Sequence, residues 1–476
     1  MTNLTVIPKR EDFEKITGFE YIKSLLEPKT PFGSKYFRHI QPLSFEHIAQ
    51  HLEDTYLLIN LLNNKVIKEV LHDLECIVDI STTAERVKRG EIIDEIELFE
   101  LKNYALVVES IREKISSNLP DYFLPPQLTE VIELLDPEGL KMPTFYIYDA
   151  YDDKLKQIRK RKRELLKDGK EHENELLELS QQEHEIEGEI LEKLSQVLHT
   201  YSHKIIESIE RIKYLDVILA KAKLAKELGL TKPEIVQDDV DITIHGIFNP
   251  KLKVELENRG KKYQPVDIQI TRGVTLIIGA NMSGKSVVLR TVALIQYMAQ
   301  HGFFVPAAFC KTRYLEHISI IVEDNQRPLS GLSSFGAEIL MINETIKQIE
   351  KGISLVLIDE PARTTNPLEG TAIVNALVNL LEEIKPYALI VTHFDNVRAK
   401  RRLKVNGLRE ELIKSLQRSE DIIINIQDYI DYRLVETDDT SIPKEATRVM
   451  ELLGVDKRIL ELVNKERKGE ANGYGK

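Results

Sequence analysis

Gly279-Ala280-Asn281-Met282-Ser283-Gly284-Lys285-Ser286 fits the pattern GxxxxGK[ST], and it lies between an apolar run, Val274 to Ile278, and a helical pattern starting near Val287. Strand, glycine-rich loop and helix in that order form a phosphate cradle. The glycines let backbone N–H groups close around the anion, and the helix N-terminus adds favourable potential. Lys285 would bridge the β- and γ-phosphates of ATP, and the Ser286 hydroxyl would ligate Mg²⁺. Further along, Leu355-Val356-Leu357-Ile358-Asp359-Glu360 delivers two carboxylates at the end of an apolar run. One can hold the metal through water and the next can polarise an attacking water, which assigns Asp359 to the metal and Glu360 to the base. On its own a buried strand ending in two acids would mean little; after a phosphate loop it is the second half of a nucleotide site. A third run, Ala388 to Thr392, ends on His393. Taken alone such a histidine is most often structural. Between the first two elements, Ser333-Ser334-Phe335-Gly336-Ala337-Glu338 follows a turn at Ser330-Gly331 and opens a helix. Small hydroxyl residues there offer N–H and O–H groups to an anion, and Glu338 is placed to serve the first turn.

These motifs need a parallel sheet to bring them together. After Pro233 the chain shows short β-branched runs, Val240–Ile247, Val266–Ile270, Val274–Ile278, Ile318–Val322, Leu355–Ile358 and Leu389–Val391, with helical stretches between several of them, which predicts an α/β domain over 236–402. From Phe19 to about Leu140 apolar residues recur at helical spacing, so a helical core is expected over 1–150, ending near the aromatic group Phe145, Tyr146, Tyr148 and Tyr151. Asp152 to Leu228 is highly charged, with Ile186, Ile190, Leu194, Val197 and Leu198 in helical register; long antiparallel helices with a coiled-coil seam are expected over 151–235, turning at Gly169. The basic run Arg159-Lys160-Arg161-Lys162-Arg163 would then sit near the tip of an arm; such runs are usually solvated helix faces and only sometimes contact nucleic acid. Beyond Arg402 the sequence reads as helices, with a small terminal helical unit around Ala446, Val449, Leu452, Leu453, Ile459 and Leu460.

Composition narrows the setting. The chain has 476 residues, 42% of them hydrophobic, enough for two to four domains with sizeable cores. No apolar stretch is long enough to cross a bilayer and no amino-terminal leader pattern is visible, so the expected compartment is the cytoplasm. Cys76 and Cys310 share no metal-ligand spacing, and small buried hydrophobes are the expectation for both. A net charge of -12 argues against a surface that collects nucleic acid everywhere.

With the motifs laid out, a resemblance emerges. GANMSGKSVVLRTVALIQYMAQHGFFVPA, from Gly279 to Ala307, is similar to the phosphate loop and following helix of the MutS family; LSSFGAEI resembles its Ser-Thr-Phe-x-x-Glu signature, and LIVTHFDNV its switch segment. Tyr214 to Leu228 resembles the end of the MutS lever, and the closing helices resemble the family's dimerisation unit. The likeness implies a multidomain protein: a helical core and coiled-coil lever or clamp, an α/β ABC-type P-loop ATPase domain, and a C-terminal helical dimerisation segment over 403–476. It further implies ATP and Mg²⁺ as cofactors and a homodimer, or a heterodimer with a related subunit, with composite sites. In such a pair Ser333 would serve the partner's nucleotide, Tyr263 would stack on adenine, and His393 would sense the γ-phosphate.

Three departures limit that likeness. No Phe-x-Glu triplet, the wedge of mismatch readers, occurs in the sequence, so DNA, if a partner, is expected to bind without mismatch preference. No Smr segment follows the dimerisation helices, so nuclease activity is not expected. Where the family shows Ile-Gly-Arg-Gly-Thr-Ser after the two acids, this chain has Pro361-Ala362-Arg363-Thr364-Thr365-Asn366-Pro367. That loop, with the acidic surface, resembles the MutS-related ATPases found with B12-dependent lysine aminomutases, which implies an alternative role as an ATP-dependent reactivating factor for such a client.

Overall fold

The computed structural model describes residues 4–168, 172–280, 283–322, 334–409, 429–439, 447, 450, 455–463 and 465. The chain divides into two compact units. One contains residues 1–25, 41–53 and 224–476, the other 26–40 and 54–223.

The second unit is helical. Helix Glu95–Ile115 starts on a capping box in which Asp94 accepts from the Glu97 N–H and Glu97 reaches back to the Asp94 N–H, which satisfies two otherwise orphan donors. Leu98, Leu101, Ala105, Val108 and Ile111 follow at helical spacing and are fully buried, joined by Ile205 and Ile212 of helix Ser202–Leu228. A buried ammonium inside this core is paired: Lys102 donates to Asp136 at 3.0 Å and to the Tyr148 hydroxyl at 2.9 Å. Helices Asp153–Asp168 and Glu173–Thr200 run antiparallel, since Arg161 meets Glu175 while the earlier Arg159 meets the later Glu183 and Glu187. The expected turn at Gly169 lies outside the described residues. Along the seam Ile190, Leu194 and Leu198 are buried as expected, but Val197 is 40% exposed, because a strict helical stripe cannot hold two consecutive residues in one seam.

The first unit is built on β-sheets. Its strands in chain order are β1 (Thr5–Ile7), β2 (Glu234–Val236), β3 (Ile242–Ile247), β4 (Val266–Ile270), β5 (Gly273–Ile278), β6 (Phe309–Arg313), β7 (His317–Ile321), β8 (Ser354–Asp359), β9 (Tyr387–Thr392), β10 (Arg401–Leu408) and β11 (Ile430–Glu436). Seven of them form one sheet in the order β1-β7-β8-β9-β5-β10-β11, and four form a second in the order β2-β6-β3-β4. In the larger sheet all neighbours are parallel except β10 with β11. Strands β5, β8 and β9 are buried on both faces apart from Asp359, which explains their unbroken apolar runs. Helices Ser334–Ile349 and Pro367–Ile384 cover one face through Met341, Ile342, Val374 and Val378, packed against Leu276, Val356, Ile358 and Ile390. Helix Lys285–Gln300, buried along nearly its whole length, contacts β7, β8 and β9.

Each of the six expected runs coincides with a strand. Two expectations are corrected. The chain beyond Arg402 does not return directly to helices: β10 and β11 extend the sheet, and in β10 Leu403, Val405 and Gly407 are buried while Arg402, Lys404 and Asn406 alternate with them. Nor is the start of the chain part of a helical core, because Thr5–Ile7 pairs with His317–Ser319 at the far edge of the sheet. Of the expected terminal helical unit, residues 457–463 are helical and most of the rest lies outside the described residues.

Candidate functional site

Parallel strands that are neighbours deliver their C-terminal ends to one edge, where α/β proteins place their ligands. Here β5 releases the glycine-rich loop, and β9 beside it is in register so that Ile278 faces Thr392, the residue before His393. One strand further, β8 ends with Asp359 facing Val391 and hands on to Glu360, whose N–H donates to the Val391 carbonyl at 2.9 Å. Motifs lying far apart along the chain thus meet at one crevice.

Within the loop, Gly279 and Ala280 leave the end of β5; Asn281 and Met282 lie outside the described residues. Gly284 takes φ of 81°, and a Cβ there would stand 3.0 Å from the Tyr432 ring, so both conformation and space demand glycine. Lys285 begins the helix and is 4% exposed, its ammonium donating to the carbonyls of Gly279 at 2.9 Å and Ala280 at 2.8 Å. Burial lowers the pKa of Lys285, and the carboxylates of Glu360 and Asp359 act in the opposite direction. Ser286 Oγ donates to Asp359 Oδ1 at 2.9 Å. A hydroxyl and a carboxylate so placed are hard oxygen donors of the kind Mg²⁺ takes. Burial raises the pKa of Asp359, while the Ser286 hydrogen bond and the charges of Arg290 and Lys285 offset part of that. Ser283 Oγ is buried with no hydrogen-bond partner among the described residues, a polar atom suited to a polar ligand in the cradle.

Glu360 and His393 face each other, with Oε2 and Nδ1 3.6 Å apart, and Arg363 approaches the same carboxylate at 3.3 Å. The loop that carries Glu360 is strained: Glu360 has φ of 51° and Ala362 φ of 59°, a region costing an L-residue roughly 1–2 kcal/mol. Glu338 reaches beyond its own helix. Its carboxylate accepts from the Ala362 N–H at 2.9 Å, because the helix begins at Ser334 and carries Glu338 against the loop after β8. Ser333 lies outside the described residues. Tyr263 is half-buried upstream of β4, and its hydroxyl accepts from the Asn249 N–H at 3.1 Å.

Several participants carry no signal that the motifs reveal. Tyr432 and Val405, on the unexpected strands β11 and β10, pack against Gly284 and Gly279. Gln264, next to Tyr263, binds Asp431 at 2.8 Å and so ties that segment to β11. Asn375 donates to the Asn396 carbonyl at 3.3 Å and accepts from the Arg398 N–H at 2.8 Å, which fixes the segment after His393. For β10 the available signal is period-two alternation in Arg401–Leu408; nothing in the spacing points to Asn375.

Four cations of the basic run are paired with carboxylates. Arg159 pairs with Asp149, Glu183 and Glu187 at 2.8–2.9 Å, Lys162 with Glu183 at 2.5 Å, Arg161 with Glu175 at 2.8 Å and Arg163 with Asp149 at 3.4 Å. These cations face carboxylates of their own unit.

Loop, acidic strand end, facing histidine and a helix reaching the loop after the acids define a P-loop nucleotide-binding domain of the ABC type. Residues 275–441 match the model of MutS domain V, the ATPase domain of MutS-family proteins. Over this segment the chain is similar to proteins of the MutS family. It is 31% identical over 242 residues to Endonuclease MutS2 of Thermomicrobium roseum, covering 47% of this chain and 30% of that protein. Against Endonuclease MutS2 of Ligilactobacillus salivarius it is 30% identical over 260 residues, 53% of this chain and 32% of the relative. Against DNA mismatch repair protein MutS of Lactobacillus johnsonii it is 30% identical over 266 residues, 55% of this chain and 30% of the relative. The matched region thus spans about a third of each relative's length. Among the described residues no helix is long and apolar enough to cross a membrane.

Proposed function

We propose that this chain binds and hydrolyses ATP at the crevice formed by β5, β8 and β9, and that it uses the nucleotide to close a dimer. The observation that carries this reading is the meeting of Ser286, Asp359, Glu360 and His393 at the ends of adjacent strands. Gly279, Ala280, Asn281, Met282, Ser283 and Gly284 would present backbone N–H groups to the phosphates. Lys285 would exchange its bonds to the Gly279 and Ala280 carbonyls for bonds to phosphate oxygens, a short displacement for an ammonium already at the loop. Mg²⁺, when bound, would supply electrostatic stabilisation of the phosphate charge. Ser286 and Asp359 would hold it. Glu360 orients the attacking water and accepts its proton, His393 contacts the γ-phosphate, and Tyr263 stacks on adenine. Ser333 of one subunit would touch the nucleotide of the other, so that ATP closes the pair and release opens it.

Whether closure grips DNA or a protein depends on the partner. Two relatives are named as an endonuclease and one as a DNA mismatch repair protein, which supports DNA as the first reading. The pairing of Arg159, Arg161, Lys162 and Arg163 with carboxylates, together with a net charge of -12, favours a second: closure on a protein client, with reactivation of a B12-dependent aminomutase as the particular case. Size-exclusion with light scattering, with and without ATP, on Glu360→Gln tests closure; a dimer that tightens only with ATP supports it, and an ATP-indifferent monomer refutes it. A pull-down in the same trapped state would retain either DNA or a protein client.

A further inference from the structure

The hydrolytic carboxylate sits on a loop whose conformation is unfavourable in itself. Glu360 and Ala362 both take positive φ, 51° and 59°, with Pro361 between them. Ala362 is 1% exposed, so its backbone groups must find partners inside the protein. Its carbonyl accepts from the Thr365 N–H at 3.1 Å and from Thr365 Oγ1 at 2.8 Å. Its N–H donates to Glu338 Oε1 at 2.9 Å, a bond that, beside the one from the Glu360 N–H to the Val391 carbonyl, ties the loop to its surroundings. A charge-assisted bond to a buried N–H is among the stronger ones available, and losing it leaves that N–H unsatisfied. The loop would then relax toward negative φ, and a rotation at Ala362 is transmitted through Pro361 to the backbone of Glu360.

We propose that Glu338 is a positioning residue for hydrolysis: by holding the left-handed turn at Ala362 it fixes the Glu360 carboxylate beside His393. Because Glu338 lies on helix Ser334–Ile349, which begins directly after Ser333, the same bond ties the segment expected to meet the partner's nucleotide to the base of its own site. Movement of that helix on dimer closure would be felt at Glu360. The inference rests on the reading of Glu360 as the base.

The test is a double-mutant cycle on the full chain with Glu338→Ala, Ala362→Gly and both, with Glu338→Gln as the conservative variant, reading single-turnover ATP hydrolysis and ATP affinity separately. Glycine adopts positive φ without strain, so a turn made with glycine needs less holding. Glu338→Ala should slow hydrolysis about tenfold and leave ATP affinity within about twofold, while Glu338→Gln, whose amide oxygen still accepts from Ala362, should keep most of the rate. In the Ala362→Gly background the loss should shrink to about threefold or less. Equal losses in both backgrounds, or wild-type hydrolysis by Glu338→Ala, would overturn the proposal. Should Glu338→Ala fail to fold, Glu338→Leu, which keeps bulk but cannot accept, decides alone and with Ala362→Gly: a loss of about tenfold that shrinks in the glycine background upholds the role, and wild-type rates or equal losses in both reject it. A Glu360→Gln control that hydrolyses as fast as wild type would instead reject the base assignment, which separates the two failures.

Discussion

Ser286 Oγ donates to Asp359 Oδ1 at 2.9 Å across a sequence separation of 73 residues, joining the helix after the phosphate loop to the end of β8. The bond brings together the two oxygens proposed to hold Mg²⁺. Ser286→Ala removes one of them and leaves Asp359, whose charged form burial already disfavours, without its hydroxyl partner. Hydrolysis by this variant should require about tenfold more Mg²⁺ than wild type, while ATP binding measured without Mg²⁺ changes little. An unchanged Mg²⁺ requirement would remove Ser286 from the metal site.

A second prediction concerns the segment behind His393. A Cβ on Gly370 would lie 2.4 Å from Phe394 Cζ, and the Phe394 and His393 rings stand 4.5 Å apart. Gly370→Ala must push the Phe394 ring aside, at a cost of about 1–3 kcal/mol in stability, and His393 moves with it. Hydrolysis should fall several-fold further than ATP affinity. Thermal melts and single-turnover rates on the same preparation check both effects.

The site is legible in the sequence because its motifs are local: Gly279 to Ser286 and Leu355 to Glu360 each carry their own chemistry within a single short segment. Strands β5, β8 and β9 are legible for a related reason, since strands buried on both faces are unbroken apolar runs. What the sequence hides is non-local. In β10, Arg401, Arg402 and Lys404 dilute a period-two pattern until it resembles a solvated helix, and β1 is three residues long and acquires its place only by pairing with β7. The partner of Glu338 is hidden as well, because capping rules look along the same helix, whereas its carboxylate crosses to Ala362.

The basic run supplies a third prediction. Arg159 is held by three carboxylates with its side chain 21% exposed, so Arg159→Ala should destabilise the helical unit by about 1–2 kcal/mol, allowing for partial solvent screening. DNA affinity, if measurable, should change little and should be equal within error on a perfect duplex and on one with a single mismatch, since the sequence holds no Phe-x-Glu wedge. A preference of more than about tenfold for the mismatch, near 1.4 kcal/mol, would contradict this.

Thiol chemistry offers a check on the core. Cys76 is exposed and Cys310 buried on β6, where burial pushes the Cys310 thiol from 9.0 up to about 12. In native protein a disulfide-exchange reagent should therefore modify Cys76 promptly and Cys310 only after unfolding. The pH dependence has a definite sign. A raised folded pKa means the unfolded chain releases the proton first, so this contribution to stability is complete below pH 9.0 and is lost as pH rises toward about 12. Denaturant midpoints of wild type and Cys310→Ala should show the steeper alkaline decline in wild type.

The central claim is that Glu360 performs hydrolysis at a site that binds ATP without it. Single-turnover hydrolysis and equilibrium ATP binding of Glu360→Gln, beside wild type in Mg²⁺, test it directly. The glutamine keeps the shape and loses the base, so hydrolysis should fall by about a hundredfold or more while ATP affinity stays within about threefold of wild type. Comparable turnover in the two proteins would contradict the account, and the water would have to be activated elsewhere.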